Sequence, residues 1–290
     1  MAQEPKRLTN QQFMDHPASA YRLFVRATDH RIDVHWHEFF ELALVVSGEG
    51  THNLNGRSVR LQRGSLFLLT PADFHELIPD RGESLRHYNF IFSYEAIKPE
   101  LFDILFRDRR KLACTIEEPD LAPMEAEFER IRQETSEERL GGHWIVLGAL
   151  ERVIIELLRR TSPDGVEARA DRSAPRPGEK PTETLIRKAM TYVQLRFREE
   201  LSLETVAQHV GLSPNYFSQR FRETAGITFQ AYVKELRLNF AKSLLAVSAL
   251  PVTEICFASG FNTLQHFERE FKGKYGCPPG SWRAAHVRLH

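Results

Sequence analysis

Two stretches in the last third of the chain, LETVAQHVGLSPNYFSQRFRETAG (203–226) and VTEICFASGFNTLQHFEREFKGKYG (252–276), follow one pattern. The matched positions are offset by 49 through the residue after the turn glycine, which pairs Val206-Ala207 with Ile255-Cys256 and Gly211-Leu212 with Gly260-Phe261. In the second helix the offset is 50, and it pairs Phe217, Phe221 and Gly226 with Phe267, Phe271 and Gly276. An internal repeat of this kind indicates one supersecondary unit that is present twice.

Each copy predicts a helix, a tight turn at a glycine and a second helix. A small residue in the first helix, Ala207 or Cys256, lets the two helices approach closely, and glycine adopts the positive φ that the turn needs. Ser213 and Thr263 are the expected N-caps of the second helices. The unit is a helix-turn-helix, which presents the outer face of its second helix to the major groove of DNA.

The outward residues of both second helices suit DNA. Asn, Gln and Arg make bidentate hydrogen bonds to base edges, Leu can touch a thymine methyl group, and Lys and Arg suit phosphates. The expected DNA-binding residues are Asn215, Ser218, Gln219 and Arg222 in the first copy and Leu264, Gln265, His266, Arg269 and Lys272 in the second. The alternative is two solvated faces of a helical bundle, and the presence of two matched copies favours DNA binding.

One continuous helix is predicted between the copies, over residues 228–247, because its apolar residues recur every four positions. Twenty residues of helix span about 30 Å. That length approaches the roughly 34 Å between successive major-groove faces of B-DNA. The helix would hold the two recognition helices about one DNA turn apart.

Charge is unevenly distributed in a chain whose net charge is zero. Residues 179–290 hold 15 Lys and Arg against 10 Asp and Glu, a balance of +5 that leaves −5 on the preceding residues. A basic part joined to an acidic part suits a chain in which one part faces a polyanion.

Composition favours a cytoplasmic protein of about two domains. The 290 residues contain no run of about 18 apolar residues, so no membrane span is expected. The N-terminal MAQEPKRLTNQQF has no apolar segment typical of a secretion signal. Cys114, Cys256 and Cys277 are too few, and wrongly spaced, for a disulfide framework or a thiolate zinc site.

A linker is predicted over residues 161–181, which are rich in Pro, Gly, Ser and charge, between domains at 15–160 and 182–287. Short β-rich runs in the first domain and the hairpin signal Asn55-Gly56 predict a sandwich or small barrel. Residues 140–160 then predict an amphipathic helix, which would pack within the chain or on a second subunit. Its apolar stripe is Trp144, Leu147, Leu150, Ile154, Leu157 and Leu158.

The stretch RLNFAKSLLAVSALPVTEICFASGFNTLQHFEREFKGKYGCPPGSWR (237–283) resembles the AraC/XylS family of transcription regulators. The resemblance covers about residues 182–285 and includes R…A…LL, then I…GF, then F…FK…G, then P…R. Cys256, where the family usually has Ala, and Thr228, where Pro is common, depart from the pattern. In the family, outward residues of both second helices contact bases, which implies this role for the residues named above.

The stretch His35-Trp36-His37-Glu38-Phe39-Phe40-Glu41 resembles the first cupin motif, HxHxxxE, and GSLFLLTPADFH (64–75) resembles the second. The resemblance implies His35, His37, Glu41 and His75 as candidate metal ligands, although Asp29 stands where the motif opens with Gly. In a straight strand, His37 and Glu41 would lie about 13 Å apart. One metal therefore requires the chain to turn at residues 38–40, which include no residue that favours turns.

Three interpretations of these residues remain open. The histidines could pack in a barrel without a ligand, line a pocket for a small polar effector, or hold a divalent metal. We expect an effector pocket, formed by His35, His37, Phe39, Glu41 and His75, and no required cofactor. The family layout, similar to that of sugar-operon regulators, implies a sugar as the effector.

The predicted fold is α+β with two domains: an N-terminal cupin-like β-barrel with flanking helices, and a C-terminal all-α double helix-turn-helix. The predicted function is a homodimeric transcription regulator, not an enzyme, whose partners are promoter DNA, a small-molecule effector and RNA polymerase, with no membrane. The alternatives are a metal-dependent cupin enzyme fused to a DNA-binding domain, and a protein that compacts DNA without sequence preference.

Overall fold

The computed structural model describes residues 7–8, 20–106, 112–137, 139–161 and 181–286. The chain divides into two compact units, with the division between residues 174 and 175. Apart from its first and last residues, the predicted linker 161–181 lies outside the described residues. Among the described helices, none has the length and apolar character that a membrane crossing needs.

The N-terminal unit contains two five-stranded sheets. Their strand orders are β1-β3-β8-β5-β6 and β10-β7-β4-β9-β2, and the described pairings are antiparallel except for β1 with β3. The strands are β1 (Arg7–Leu8), β2 (Tyr21–Thr28), β3 (Ile32–His37), β4 (Phe40–Ser47), β5 (Gly50–Leu54), β6 (Arg57–Leu61), β7 (Ser65–Leu69), β8 (His75–Pro79), β9 (Leu85–Phe92) and β10 (Ala113–Thr115).

Side chains from both sheets form one apolar core, because alternate residues of each strand point inward. The core residues are Ala43, Val45, Leu61, Phe67, Leu69, Leu77 and Leu85. The predicted hairpin is confirmed: Asn55 and Gly56 both have positive φ, 49° and 80°, and they join β5 to β6. The predicted class of a barrel-like β domain is therefore confirmed.

Three helices accompany the sheets: α1 (Pro99–Phe106), α2 (Leu121–Ser136) and α3 (Gly142–Thr161). The predicted apolar stripe of α3 is partly wrong, because Trp144 is 73% exposed and Leu147 is only half-buried. Leu150, Ile154, Leu157 and Leu158 are buried as predicted, and the first turns of the helix bury Val146 and Ala149 instead of Trp144 and Leu147. The buried residues of α3 are Gly142, Val146, Ala149, Leu150, Val153, Ile154, Leu157 and Leu158. The helix packs against α2 and β10.

The C-terminal unit is helical throughout its described elements. They are α4 (Pro181–Arg196), α5 (Leu203–His209), α6 (Pro214–Ala225), α7 (Phe229–Val247), α8 (Val252–Ala258), α9 (Leu264–Tyr275) and α10 (Pro279–His286). Helices α5 and α6 form the first helix-turn-helix, α8 and α9 the second, and α7 is the predicted continuous helix between them. The double helix-turn-helix is confirmed.

The two copies agree in detail. From residue 215 to 230 and from 265 to 280, the sequence of buried, half-buried and exposed residues is identical at an offset of 50. Each second helix ends at a left-handed glycine, Gly226 or Gly276, whose N–H donates to the carbonyl four residues earlier. The N-caps differ: the Thr263 side chain accepts a hydrogen bond from the N–H of His266, whereas Ser213 makes no side-chain cap bond.

Candidate functional site

A break between β3 and β4 shapes the interior of the N-terminal unit. Strand β3 ends at His37 and β4 begins at Phe40, so the chain turns at Glu38 and Phe39. The N–H of Glu38 donates to the carbonyl of Leu8 at 3.1 Å, and the Nδ1–H of His37 donates to the carbonyl of Phe39 at 2.7 Å. Strand pairing and a side-chain hydrogen bond hold this turn, and neither depends on a turn-forming residue.

The turn brings three of the four candidate metal ligands together. The Nε2 atom of His37 lies 3.7 Å from a carboxylate oxygen of Glu41, and His75 joins them with all three ligand atoms within 4.8 Å of one another. All three side chains are buried. The geometric condition for a shared ion is therefore met by His37, Glu41 and His75.

His35 lies beside this group and is not one of the three. Its ring centroid is 4.1 Å from that of His75, and its Nδ1–H donates to the carbonyl of Asp33 at 2.9 Å. Phe39 stacks on His37 with ring centroids 4.8 Å apart. All five residues expected to line the pocket, His35 and Phe39 among them, are buried.

Sequence reasoning missed three further polar residues in the same interior: His52, His87 and Asn89. His52 Nε2 lies 3.1 Å from His75 Nδ1, close enough for a hydrogen bond between the two rings. Asn89 hydrogen-bonds to Glu41. The available signal was strand alternation, because these residues sit at inward positions of β5 and β9.

Burial decides the protonation of this interior. It lowers the pKa of His52 to about 3 and that of His87 to about 4, and it lowers the pKa of His75 well below its ordinary value. Burial also raises the pKa of Glu41 to about 7, against an opposing effect of the Asn89 hydrogen bond. The imidazoles of His52, His75 and His87 are therefore neutral near pH 7. A neutral imidazole can bind a metal ion or form hydrogen bonds with a neutral ligand.

The residues fit a divalent metal. The Nδ1–H of His37 is committed to a carbonyl and Nδ1 of His75 faces His52, so the Nε2 atoms of both rings are left to face the group. His75 Nε2 is buried with no hydrogen-bond partner. Two imidazole nitrogens with one carboxylate form a ligand set that first-row transition metals accept, and the carbonyl and imidazole behind each ring would fix its orientation.

The C-terminal unit presents the predicted reading residues to solvent. Asn215, Ser218, Gln219 and Arg222 are exposed and line one recess together with Glu223. In α9, Gln265, His266, Arg269 and Lys272 are exposed, while Leu264 is half-buried. The opposite faces of both helices are closed by fully buried phenylalanine pairs, Phe217 with Phe221 and Phe267 with Phe271.

Two family models match the chain. One is described as an AraC-like ligand binding domain and covers residues 17–145; the other is described as a helix-turn-helix domain and covers residues 206–285. The chain belongs to the AraC family of transcription regulators. It is a DNA-binding transcription regulator with an N-terminal ligand-binding domain.

Two relatives match most of the chain, and a third matches about a third of it. The HTH-type transcriptional activator RhaR of Klebsiella pneumoniae is 24% identical over 256 residues, which are 86% of this chain and 86% of RhaR. The uncharacterized HTH-type transcriptional regulator YfiF of Bacillus subtilis is 25% identical over 87% of this chain and 78% of its own length. The regulatory protein PocR of Salmonella typhimurium is 35% identical over 106 residues, 37% of this chain and 35% of PocR.

The second helices of the two helix-turn-helix copies in this AraC-family chain differ in how their predicted reading residues are held. In α9, the carboxylate of Glu270 accepts a hydrogen bond from Lys234 at 2.8 Å. The same carboxylate lies 3.4 Å from Arg269 and 3.6 Å from His266. In α6, Gln219 donates to Glu223 at 3.0 Å. Sequence reasoning also missed Tyr216, which is 45% exposed and stands at the position of His266 in the second copy.

Proposed function

We propose that this AraC-family regulator reads two adjacent major-groove segments of a promoter with α6 and α9. The observation that carries the proposal is the repeat itself: two second helices with the same pattern of buried and exposed positions, joined through α7. Helix α7 has 19 residues, about 28 Å at 1.5 Å per residue, a length that suits one turn of DNA.

Base contacts are assigned to the outward side chains. Asn215, Ser218 and Gln219 would read one segment, and Gln265, His266 and Arg269 the other, through hydrogen bonds to base edges. Arg222 and Lys272 occupy equivalent positions one turn later in each helix and suit phosphates. Leu264 is half-buried at the start of α9 and offers an apolar contact.

We infer that the interior of the N-terminal unit receives a small-molecule effector, and that the effector is a sugar. Neutral imidazoles and the amide of Asn89 can accept or donate hydrogen bonds to hydroxyl groups, and the rings of Phe39 and Phe67 supply apolar walls. A site with a few convergent polar groups in an apolar cavity is typical of small-molecule binding.

A divalent metal is part of this proposal, held by His37, Glu41 and His75. When bound, it would supply a Lewis-acid contact for an oxygen atom of the ligand. The chain's own residues would orient the ligand: His52 and His35 flank His75, and Phe39 stacks on His37.

A second copy of the chain is the proposed partner of α3. Large apolar side chains on and next to this helix face solvent: Leu140, Trp144, Ile145 and Ile155. Exposed apolar patches of this kind mark interaction sites. In a dimer, a ligand that changes the freedom of the DNA-binding units changes which half-sites they hold together, and affinity for DNA then changes without new base contacts.

The proposed outcome is activation of transcription through contact with RNA polymerase. RhaR, which the chain matches over 86% of its length, is described as an activator. We propose no turnover of a substrate. The candidate metal ligands favour one alternative, a metal-dependent enzyme fused to a DNA-binding domain. That alternative predicts consumption of a ligand, and loss of this activity in His37→Ala.

The test of the proposed function is footprinting of the full chain on the promoter beside its own gene, with and without candidate sugars. We expect a protected region that covers two major-groove segments per chain and changes when the effector is added. Discrimination of less than about tenfold between this promoter and random DNA at physiological salt would instead indicate nonspecific compaction. A footprint unchanged by every sugar would contradict the sensing role.

A further inference from the structure

Strand β2 carries two arginines on the face that looks into the effector pocket. Arg22, Phe24 and Arg26 alternate along the strand and so share one face. Phe24 packs against the buried pair Phe39 and Ile91, and Phe39 in turn stacks on His37. The face of β2 that holds the arginines is therefore continuous with the wall of the pocket.

Both guanidinium groups lie over the ring of Phe24. The Cζ atom of Arg26 is 4.4 Å from the ring centroid and that of Arg22 is 4.7 Å from it. An aromatic face attracts a cation at this distance and restricts its position. Arg26 is otherwise exposed and, within the part of the chain that the structure describes, it forms no salt bridge.

Strand pairing places Arg26 at the edge of the polar interior. It lies opposite His87 in the β2–β9 ladder, while Phe24 lies opposite Asn89. Although burial dominates the pKa of both Glu41 and His87, the charge of Arg26 contributes to both. The guanidinium of Arg26, which has no carboxylate partner among the described residues, therefore acts electrostatically on Glu41 and His87.

One buried hydrogen-bond acceptor points to a ligand. The Oδ1 atom of Asn89 has no hydrogen-bond partner within the described residues. The Nε2 atom of His75 also has none there, but the proposed metal site uses it. A ligand that donates from a hydroxyl group would satisfy the Asn89 oxygen, and a buried acceptor otherwise remains costly.

We propose that the effector is a polyhydroxylated anion, a sugar acid or a sugar phosphate, whose anionic group binds Arg26 while a hydroxyl group reaches Asn89. This proposal rests on the effector pocket proposed above and names its ligand class. A guanidinium binds carboxylate and phosphate through two parallel hydrogen bonds. Arg26 is exposed and the Asn89 oxygen is buried, so the anionic end of the ligand would lie nearer to solvent than its hydroxyl end.

The test is calorimetric titration of the full chain with matched probes: galactose as the neutral parent, galacturonate and galactonate as carboxylates, and galactose 6-phosphate, with the same series built on glucose. At least one anion should bind at least tenfold more tightly than its neutral parent. The carboxylate and phosphate members distinguish the two sources of charge.

Variants assign the effect to Arg26. Arg26→Gln should weaken binding of the preferred anion at least tenfold and leave the affinity for the neutral parent unchanged, while Arg26→Lys should retain part of the affinity. Arg86→Gln is the matched control, because Arg86 is exposed and adjoins β2 residue Ala27, on the opposite face of β9 from His87. Unchanged melting temperatures without ligand would show that the variants fold.

Several results would overturn the proposal: equal affinity for neutral and anionic members, an Arg26→Gln affinity equal to the wild type, an equal loss in Arg86→Gln, or no binding by any anion of the panel. A neutral sugar that binds as tightly as the anions and alters the footprint would overturn the anionic class and leave the sensing function standing. A footprint that responds to no ligand would contradict the sensing function itself.

Discussion

A β-carbon added at Gly260 would lie 2.8 Å from both the Cα and the carbonyl oxygen of Arg198. The turn of the second helix-turn-helix is thus packed directly on the backbone that follows α4. Arg237 strengthens the contact, because its guanidinium donates to the carbonyls of Phe197 and Glu199 at 2.6 and 2.8 Å. Gly211, the equivalent of Gly260 in the first copy, has open space around it.

Alanine should therefore have different effects at the two turn glycines. Both have positive φ, 70° at Gly211 and 86° at Gly260, so each substitution strains the backbone by about 1 kcal/mol or more. Gly260→Ala also forces apart two backbone segments, and we expect a total loss of roughly 3 kcal/mol in the stability of the C-terminal unit. Hydrogen exchange at the amides of α9 measures the difference, and equal losses at the two positions would contradict it.

Substitutions in the two recognition helices should weaken binding at different operator segments. Gln219→Ala removes a side chain that can bind a base edge in one segment, and Arg269→Ala does so in the other. Each should cost about 1–3 kcal/mol and relax base preference at its own segment alone. Binding measurements on operators mutated in one segment at a time would separate the effects. Gln230→Ala, exposed on α7, is the control and should leave affinity unchanged.

One divalent ion per chain is the expected content of the histidine site. His75→Ala and His37→Ala should each abolish stoichiometric binding, because each removes one of three ligands. Elemental analysis after incubation with cobalt(II) or zinc(II) measures the stoichiometry, and the visible spectrum of bound cobalt reports the ligand set. His30→Ala, at an exposed histidine, is the control. Wild-type protein that retains no ion would refute the assignment.

Acid should destabilise the N-terminal unit through its buried histidines. Burial lowers the pKa of His87 from 6.5 to about 4, so between these values the unfolded chain binds a proton that the folded chain excludes. Stability is then lost as pH falls through this window, by up to about 1.4 kcal/mol per pH unit for each such histidine. Glu41, with its raised pKa of about 7, acts in the opposite sense.

The pH slope isolates His87 from any loss of packing. His87→Gln should reduce the dependence of the urea midpoint on pH between 4 and 6.5, whatever it does to the midpoint at neutral pH. A slope in His87→Gln that matches the wild type would show that His87 is protonated equally in the folded and unfolded chains.

Self-association should depend on the exposed face of α3. Trp144 is 73% exposed, and if a second copy covers it, Trp144→Ser should raise the dimer dissociation constant at least tenfold, since burial of a large aromatic contributes about 2 kcal/mol or more. Sedimentation equilibrium of the full chain measures the change. Arg57→Ser, at an exposed position of β6, is a control on the same unit. Equal dissociation constants for wild type and Trp144→Ser would place any dimer contact elsewhere.

Repetition made the C-terminal unit predictable from sequence. Two copies of the same apolar spacing specify the helices, the turns and the inward phenylalanines, and exposure of Gln219 and Arg269 follows from the helical period. The hairpin at Asn55 and Gly56 was predictable for a similar reason, since only residues that tolerate positive φ suit a two-residue turn.

Contacts distant in sequence explain what could not be predicted. The turn at Glu38 and Phe39 depends on the carbonyl of Leu8, which belongs to a separate strand. The predicted stripe of α3 was wrong at Trp144, because residues 144–150 are apolar around most of the helix and their spacing does not specify which side packs on α2. His52 is placed beside His75 by a strand pairing that no local pattern in β5 specifies.

The matching burial patterns of residues 215–230 and 265–280 separate the scaffold of each helix-turn-helix from its readout. Inward positions hold equivalent apolar residues, whereas outward positions differ, with Asn215 against Gln265 and Gln219 against Arg269. The chain therefore carries two helix-turn-helix scaffolds of the same design with different outward side chains. If the outward residues of α9 were placed on α6, we expect the chain to prefer promoters in which one short base sequence is repeated in tandem.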